Sequence, residues 1–466
     1  MEEQKGGKLP FWVKFAYGGV EGSQVIFWTL IYMFFAIFMT DVVKVSPAAA
    51  GRILMIATIW DAVTDPAVGI WSDKARYKHG RRRPFIIVMA VPLGIAGWLL
   101  FTNWHLSQGW TIAYYIMAVI LFFTVYTVLG VPYTALAPEM TQDYDERSRL
   151  IAYRMGWSQV FTLVGIVGFF LADEVFPKML GTRSAGWSLM AGIFGVFAIF
   201  PILLTWRATR GYELYPEHTE LRLKDIWNDA CKNRTFVYTV GVYAAGVVAM
   251  DISAMVLVYF AKYNLHYSTG KTDMILLILI GVTVFWVPVI AVCATRWGKR
   301  AAYMIFASSW LLTQSIGVLF IYPGRDAFLY VILVVASGGV CAVPFVAWAM
   351  VPDAVEVDEL KTGQRREGLY SGVATFVQKV GTGVALAIVG QILSWVGYRP
   401  DVAQTHTALL GIRLVLAWGT GFFLLISIVL CYLLPMTKKR HDALCEAIRL
   451  KKEGKEWDEE SLEGLL

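Results

Sequence analysis

Twelve runs of apolar residues, each close to the ~20 residues that carry a helix across a bilayer, divide this chain almost from end to end. Bounded by charge or turn residues, they fall at about 12–40, 48–71, 85–103, 110–137, 151–172 and 185–206, then at about 236–262, 272–295, 301–322, 327–351, 369–397 and 408–435. No polar stretch between them is long enough to fold alone. Of the 466 residues, 57% are hydrophobic and 16% charged, against roughly 25% charged in soluble domains. The pattern excludes an ordinary cytosolic enzyme, a disordered chain and a large extramembrane domain. It predicts an all-α membrane protein of twelve transmembrane helices.

The runs are grouped six and six. A first lobe over 1–206 is followed by a polar connector over 207–235, read as partly helical at 221–231. A second lobe covers 236–435, and a tail over 436–466 reads as a short surface helix with a frayed end. The halves echo each other. Gly80 to Arg83 after the second run recurs as Gly298 to Arg300 after the eighth, and Pro138 and Glu139 after the fourth recur as Pro352 and Asp353 after the tenth. Both offsets are about 215 residues, the mark of a duplicated unit and of two pseudo-symmetric lobes. Lys and Arg cluster in the loops after runs 2, 8, 10 and 12, which places those loops, the connector and both termini in the cytoplasm of a multi-pass cell-membrane protein. The net charge of +6 therefore sets orientation and does not point to nucleic acid. No cleavable leader precedes the first run, which is expected to stay as an anchor. The five cysteines have no metal-site spacing and no disulfide framework.

Polar residues inside apolar runs carry the function. In the second run, Asp61 and Asp65 lie four apart, on one helix face. Two carboxylates at membrane depth require a partner, and a cation between them removes their repulsion. Thr64 adds a hydroxyl, and Pro66 leaves the Ala62 carbonyl without its helix bond. Such an all-oxygen set suits a hard cation; a proton is the other cation the pair could carry. Gly69 and Asp73, with the basic loop holding Arg81 and Arg82, read as a conformational latch. Lys379, deep in the eleventh run, reads as a group facing a cavity, where it would neutralise an empty cation site or hold substrate. Glu21, Gln24 and Asp251 are the other candidates for substrate binding, and Tyr126, Trp157 and Trp348 could stack on sugar faces. The six histidines lie mainly in loops or at helix ends, with no nucleophile–base or metal constellation, so an enzyme is not expected.

These residues resemble a known family. Asp61, Thr64, Asp65, Pro66 and Gly69, then Ser72, Asp73 and Arg76, then Gly80 to Pro84, are similar to the second-helix region of the glycoside–pentoside–hexuronide:cation symporters. These form the melibiose-permease branch of the major facilitator superfamily. Tyr17 and Gly18, Thr40 and Asp41, Val131 to Tyr133, Pro138 to Thr141, Glu146 and Arg147, and the Asp358 to Gly368 loop extend the likeness over the chain. The resemblance implies the major-facilitator fold and alternating access, with substrate near the midplane between the lobes. It implies a cation site of Asp61, Thr64, Asp65 and Thr127, and a role for Lys379. The sugar site departs from the melibiose-permease pattern: Gln24 and Val25 stand where that branch has a lysine–aspartate pair, and Gly130 where it has an aspartate. Arg154 and Lys379 would then dominate the polar side of the pocket and favour an acidic substrate. The expected activity is cation-coupled symport of a sugar, glycoside or sugar acid, with another amphipathic or anionic small molecule, such as a lysolipid, as the alternative. Na+ is favoured at Asp61 and Asp65, with H+ as the second choice. No cofactor is expected; the partners are a small-molecule substrate and the lipid bilayer, and the protein is expected to be a monomer.

Overall fold

A computed structural model describes residues 9–75, 81–141, 143–212, 233–363, 366–453 and 455. Among them, twelve helices are long and apolar enough to cross a membrane: α1 Phe11–Val42, α2 Pro47–Lys74, α3 Arg83–Leu100, α4 Gln108–Met140, α5 Arg149–Leu180, α6 Arg183–Ala208, α7 Arg234–Asn264, α8 Thr269–Trp297, α9 Lys299–Phe320, α10 Asp326–Thr362, α11 Tyr370–Trp395 and α12 His406–Leu433. No strand occurs among the described residues. Several starts are set by side-chain caps that answer the orphan N–H groups of a first turn. Ser46 accepts from the N–H of Ala49, Thr182 from Ala185, Asn233 from Phe236 and Thr405 from Ala408. Val196 and Phe200 on α6, Phe285 on α8 and Phe422 on α12 are among many large apolar side chains left exposed. Lipid rather than water solvates such faces, and the protein is a multi-pass membrane protein.

The chain divides into two compact units, Met1–Thr219 with Thr269–Asp273, and Glu220–Ser268 with Met274–Leu466. The first turn of α8 joins the first unit through polar bonds. Asp273 Oδ2 accepts the Phe170 N–H at 2.9 Å, and Thr269 Oγ1 donates to Asp173 Oδ2 at 2.9 Å. Within the first unit α1 packs on α5 and α6, and α3 on α4 and α6; within the second α7 packs on α11 and α12, and α9 on α10 and α12. The close α3–α6 approach depends on two glycines. A β-carbon on Gly94 would meet the Gly195 carbonyl oxygen at 2.6 Å, and one on Gly195 would meet that of Gly94 at 2.7 Å.

The duplication reaches the backbone. A π-helical turn closes α1 at Phe38–Val42 and another closes α7 at Phe260–Asn264. Each is followed by a non-glycine residue with positive φ, Lys44 at 68° and His266 at 56°, 222 positions apart. One ion-pair design also recurs. Arg81 pairs with Glu139 at 2.8 Å in the first unit, and Lys299 with Asp353 at 2.6 Å in the second. Arg83 caps the end of α6 through the Trp206 carbonyl at 2.6 Å, as Arg300 caps the end of α12 through that of Leu434 at 2.9 Å.

These pairs explain why α4 and α10 outrun the apolar spans read from sequence. Hydrophobicity stops near 137 and 351, whereas α4 continues to Met140 and α10 to Thr362. Three acids in the extensions are neutralised in place: Glu139 by Arg81 and Arg82, Asp353 by Lys299, and Asp358 by Arg366 at 2.7 Å. The expected tail helix is present as α13, Lys438–Lys452, but it docks instead of lying free on the surface. Leu444 and Ala447 are buried in the second unit's core, α13 packs on α10, and Lys451 donates to the Leu360 carbonyl. The helix read at 221–231 lies outside the described residues.

Glu139 is 2% exposed and holds two buried guanidinium groups. Removing one partner of a buried pair costs about 3–5 kcal/mol. Glu139→Gln is therefore expected to lower the thermal unfolding midpoint of the purified protein by several degrees, and Lys299→Met, which strips Asp353 of its partner, to do the same.

Candidate functional site

In the first unit α2 and α4 are braced by two side-chain bonds a turn apart. Trp60 Nε1 donates to Thr124 Oγ1 at 2.9 Å, and Thr127 Oγ1 donates to Asp61 Oδ1 at 2.8 Å. Asp61 is fully buried and Thr127 almost so. Thr64 donates to the carbonyls of Trp60 and Asp61, 2.9 and 3.1 Å away, and its oxygen lies 3.4 Å from that of Thr127. The structure thus brings Asp61, Thr64 and Thr127 together. Asp65 follows one turn on, half-buried, just before Pro66 within the helix. Because both threonine hydroxyl protons are spent on oxygens at 2.8–3.1 Å, the lone pairs of both remain as acceptors.

A second polar group joins α1, α4 and α5. Arg154 Nε donates to Glu21 Oε2 at 2.6 Å, and the guanidinium lies over the Tyr133 ring, 5.6 Å from its centroid. Tyr133 and Tyr17 are stacked 4.8 Å apart, and each hydroxyl donates to the other's backbone carbonyl, at 2.9 and 3.2 Å. This reciprocal brace fixes the ring beneath Arg154; Tyr17 was legible only as part of a family motif. Trp157 wedges against the glycine face of α1. A β-carbon on Gly18 would come to 2.3 Å of its ring and one on Gly22 to 2.8 Å. Its buried indole N–H has no hydrogen-bond partner among the described residues. Gln24 spans from α1 to α4, donating to the Tyr126 carbonyl at 2.8 Å, and a β-carbon on Gly130 would meet the Gln24 amide nitrogen at 2.8 Å. The Tyr126 ring lies 5.8 Å from Trp28, which stacks on Tyr32.

In the second unit Asp251, buried on α7, accepts from Thr382 Oγ1 at 2.8 Å, and Thr382 accepts from Gln378 Nε2 at 3.1 Å. Lys379 is buried on the same helix, α11, at 8% exposure. Thr382 and Gln378 were missed in the sequence, although Thr382 sits three residues past Lys379, on its face. Trp348 is 41% exposed, with its ring 5.1 Å from that of Tyr243.

The proposed latch residues Asp73, Arg81 and Arg82 do converge. Arg82 pairs with Asp73 at 2.8 Å and Arg81 with Asp73 at 3.3 Å, while both guanidinium groups also reach Glu139. Burial pushes the Arg82 guanidinium below its ordinary range, against the pull of Glu139. Glu139 completes the network and was missed as a site residue, since a lone acid at a helix end looks like any solvated one. Gly69 is not a forced close approach, because a β-carbon there would make only ordinary contact with Val131 at 3.9 Å.

The sequence pattern of the MFS/sugar transport protein family matches residues 16–438. An uncharacterized symporter of Synechocystis is 27% identical, with 96% of this chain and 98% of that protein covered. A glucuronide carrier protein homolog of Escherichia coli is 28% identical, with 88% of this chain and 89% of that protein covered. The fold is shared with a crystal structure of a bacterial homolog to the human lysosomal transporter Spinster, in an inward-facing and occupied conformation. Its TM-score is 0.69 at 13% identity, over 93% of this chain and 99% of that one. With its twelve helices, duplicated six-helix plan and a family match over nearly its whole length, the chain belongs to the major-facilitator sugar transport proteins, among the glycoside–pentoside–hexuronide:cation symporters.

Proposed function

We propose that this protein is a Na+-coupled symporter of a sugar or glycoside, with an acidic one preferred, working by alternating access. One observation carries the coupling: a fully buried carboxylate, Asp61, lies within an apolar span and accepts from the Thr127 hydroxyl at 2.8 Å, with the Thr64 oxygen 3.4 Å from that of Thr127. Carboxylate and hydroxyl oxygens are the donor set that a hard cation takes. Asp61, Asp65 and the lone pairs of Thr64 and Thr127 are its proposed ligands. A proton carrier needs no such neutral oxygens, so the chemistry favours Na+. Coupling then follows from linkage. If the ion strengthens substrate binding by some factor, substrate strengthens ion binding by the same factor.

For the substrate, the family and the glucuronide carrier homolog support a sugar-type molecule. Arg154 and Lys379 are the proposed donors to its acidic or hydroxyl groups. Glu21, already tied to Arg154, is the proposed acceptor, and Gln24, Tyr126, Trp157, Asp251 and Trp348 complete the set. The basic loops after α2, α8 and α10 support cytoplasmic termini in the cell membrane. The Asp73, Arg81, Arg82 and Glu139 network is proposed to be made and broken as the carrier reorients.

Asp61→Asn and Asp65→Asn are expected to abolish Na+-driven accumulation in proteoliposomes while leaving a folded, monodisperse protein. Accumulation that persists in both variants, or that runs on a pH gradient without Na+, would remove the ion assignment. Lys379→Ala is expected to weaken substrate binding at least tenfold, about 1.4 kcal/mol, and to change Na+ affinity much less. Calorimetric titration of each ligand over a panel of glycosides, sugar acids and lysolipids reads both, and a lysolipid as the sole ligand would overturn the sugar assignment.

A further inference from the structure

Where α13 docks on the end of α10, three side chains of different chemistry converge. Glu356 comes from α10; His441 and Cys445 come from α13, four residues apart and so on one face. His441 Nε2 lies 3.1 Å from Glu356 Oε2, Cys445 Sγ lies 3.7 Å from the same oxygen, and Cys445 Sγ lies 3.8 Å from His441 Nε2. All three ligand atoms fall within 4.8 Å of one another.

We propose that Glu356, His441 and Cys445 form a binding site for a divalent cation of the zinc class, which staples the tail helix to α10. The triangle has the dimensions of a coordination site. Bond lengths of about 2.0–2.2 Å to nitrogen and oxygen and about 2.3 Å to sulfur, set at tetrahedral angles, put ligand atoms about 3.4–3.6 Å apart. Each observed edge comes within a few tenths of an ångström of that. The thiolate, imidazole and carboxylate set selects a borderline-soft ion over Mg2+ or Ca2+.

Asp353 Oδ1 is 3.5 Å from His441 Nε2, but it is held by Lys299 at 2.6 Å, so the fourth position falls to water. Access is open on two sides. Cys445 is exposed, and a cavity of about 290 Å³, lined in part by His441, Asp353 and Lys299, lies beside the site. Without metal, the Cys445 thiol donates a hydrogen bond to Glu356 Oε2 at 3.7 Å. A bound ion takes that proton's place.

Co2+ serves as a spectroscopic stand-in for Zn2+, added to tag-free, full-length protein that has been purified in detergent and stripped with chelator. The expected result is one equivalent of tetrahedral Co2+ with a thiolate-to-metal charge-transfer band, displaced by Zn2+. Cys445→Ser should remove the band at unchanged elution volume, and His441→Ala and Glu356→Gln should each weaken Co2+ binding at least tenfold. Zn2+ should also protect Cys445 from maleimide. A wild type with no band, a band that survives Cys445→Ser, or an affinity indifferent to His441→Ala would each overturn the proposal.

Discussion

Charge desolvation governs where the buried acids and bases of this protein can sit. Twelve apolar helices leave little water for a buried carboxylate or guanidinium, so each such group must be answered by another protein atom or by an ion. Glu139 is answered by Arg81 and Arg82, Asp353 by Lys299, Asp251 by the Thr382 hydroxyl and Glu21 by Arg154. Asp61 fits the same rule, its carboxylate accepting from the Thr127 hydroxyl.

Duplication fixes how these answers are distributed. Both units carry an acid near a helix end bonded to a basic residue at or before the start of the unit's third helix, and both use an arginine one or two positions further on to cap the last helix of the unit. The structural chemistry is therefore symmetric. The chemistry proposed for the ion and the substrate is not: Asp61, Thr64 and Asp65 on α2 have no acidic counterparts on α8, whose interior from Met274 to Thr295 carries no charged residue.

Much of this was legible in the sequence because hydrophobicity and charge act locally. Helix number, the six-and-six grouping and the pairing of Asp73 with Arg81 and Arg82 all follow from residues near one another in the chain. Features that depend on distant segments were not legible. The π-helical turns at Phe38–Val42 and Phe260–Asn264 leave no trace in hydropathy. The true ends of α4 and α10 depend in part on partners more than fifty residues away, Arg81 for Glu139 and Lys299 for Asp353. Cys445 has no metal-like spacing to another cysteine, and its proximity to Glu356 arises only when the tail helix buries Leu444.

The seat of Gln24 has a consequence for how such a protein changes over generations. Its amide fills the volume that any side chain at position 130 would need, and it is held there by the Tyr126 carbonyl. A side chain introduced at 130 would meet the far end of a flexible side chain, which can swing aside at the loss of its bond to the Tyr126 carbonyl. Change at 130 thus stays open to a single step, and what that step gives up is the tether between α1 and α4.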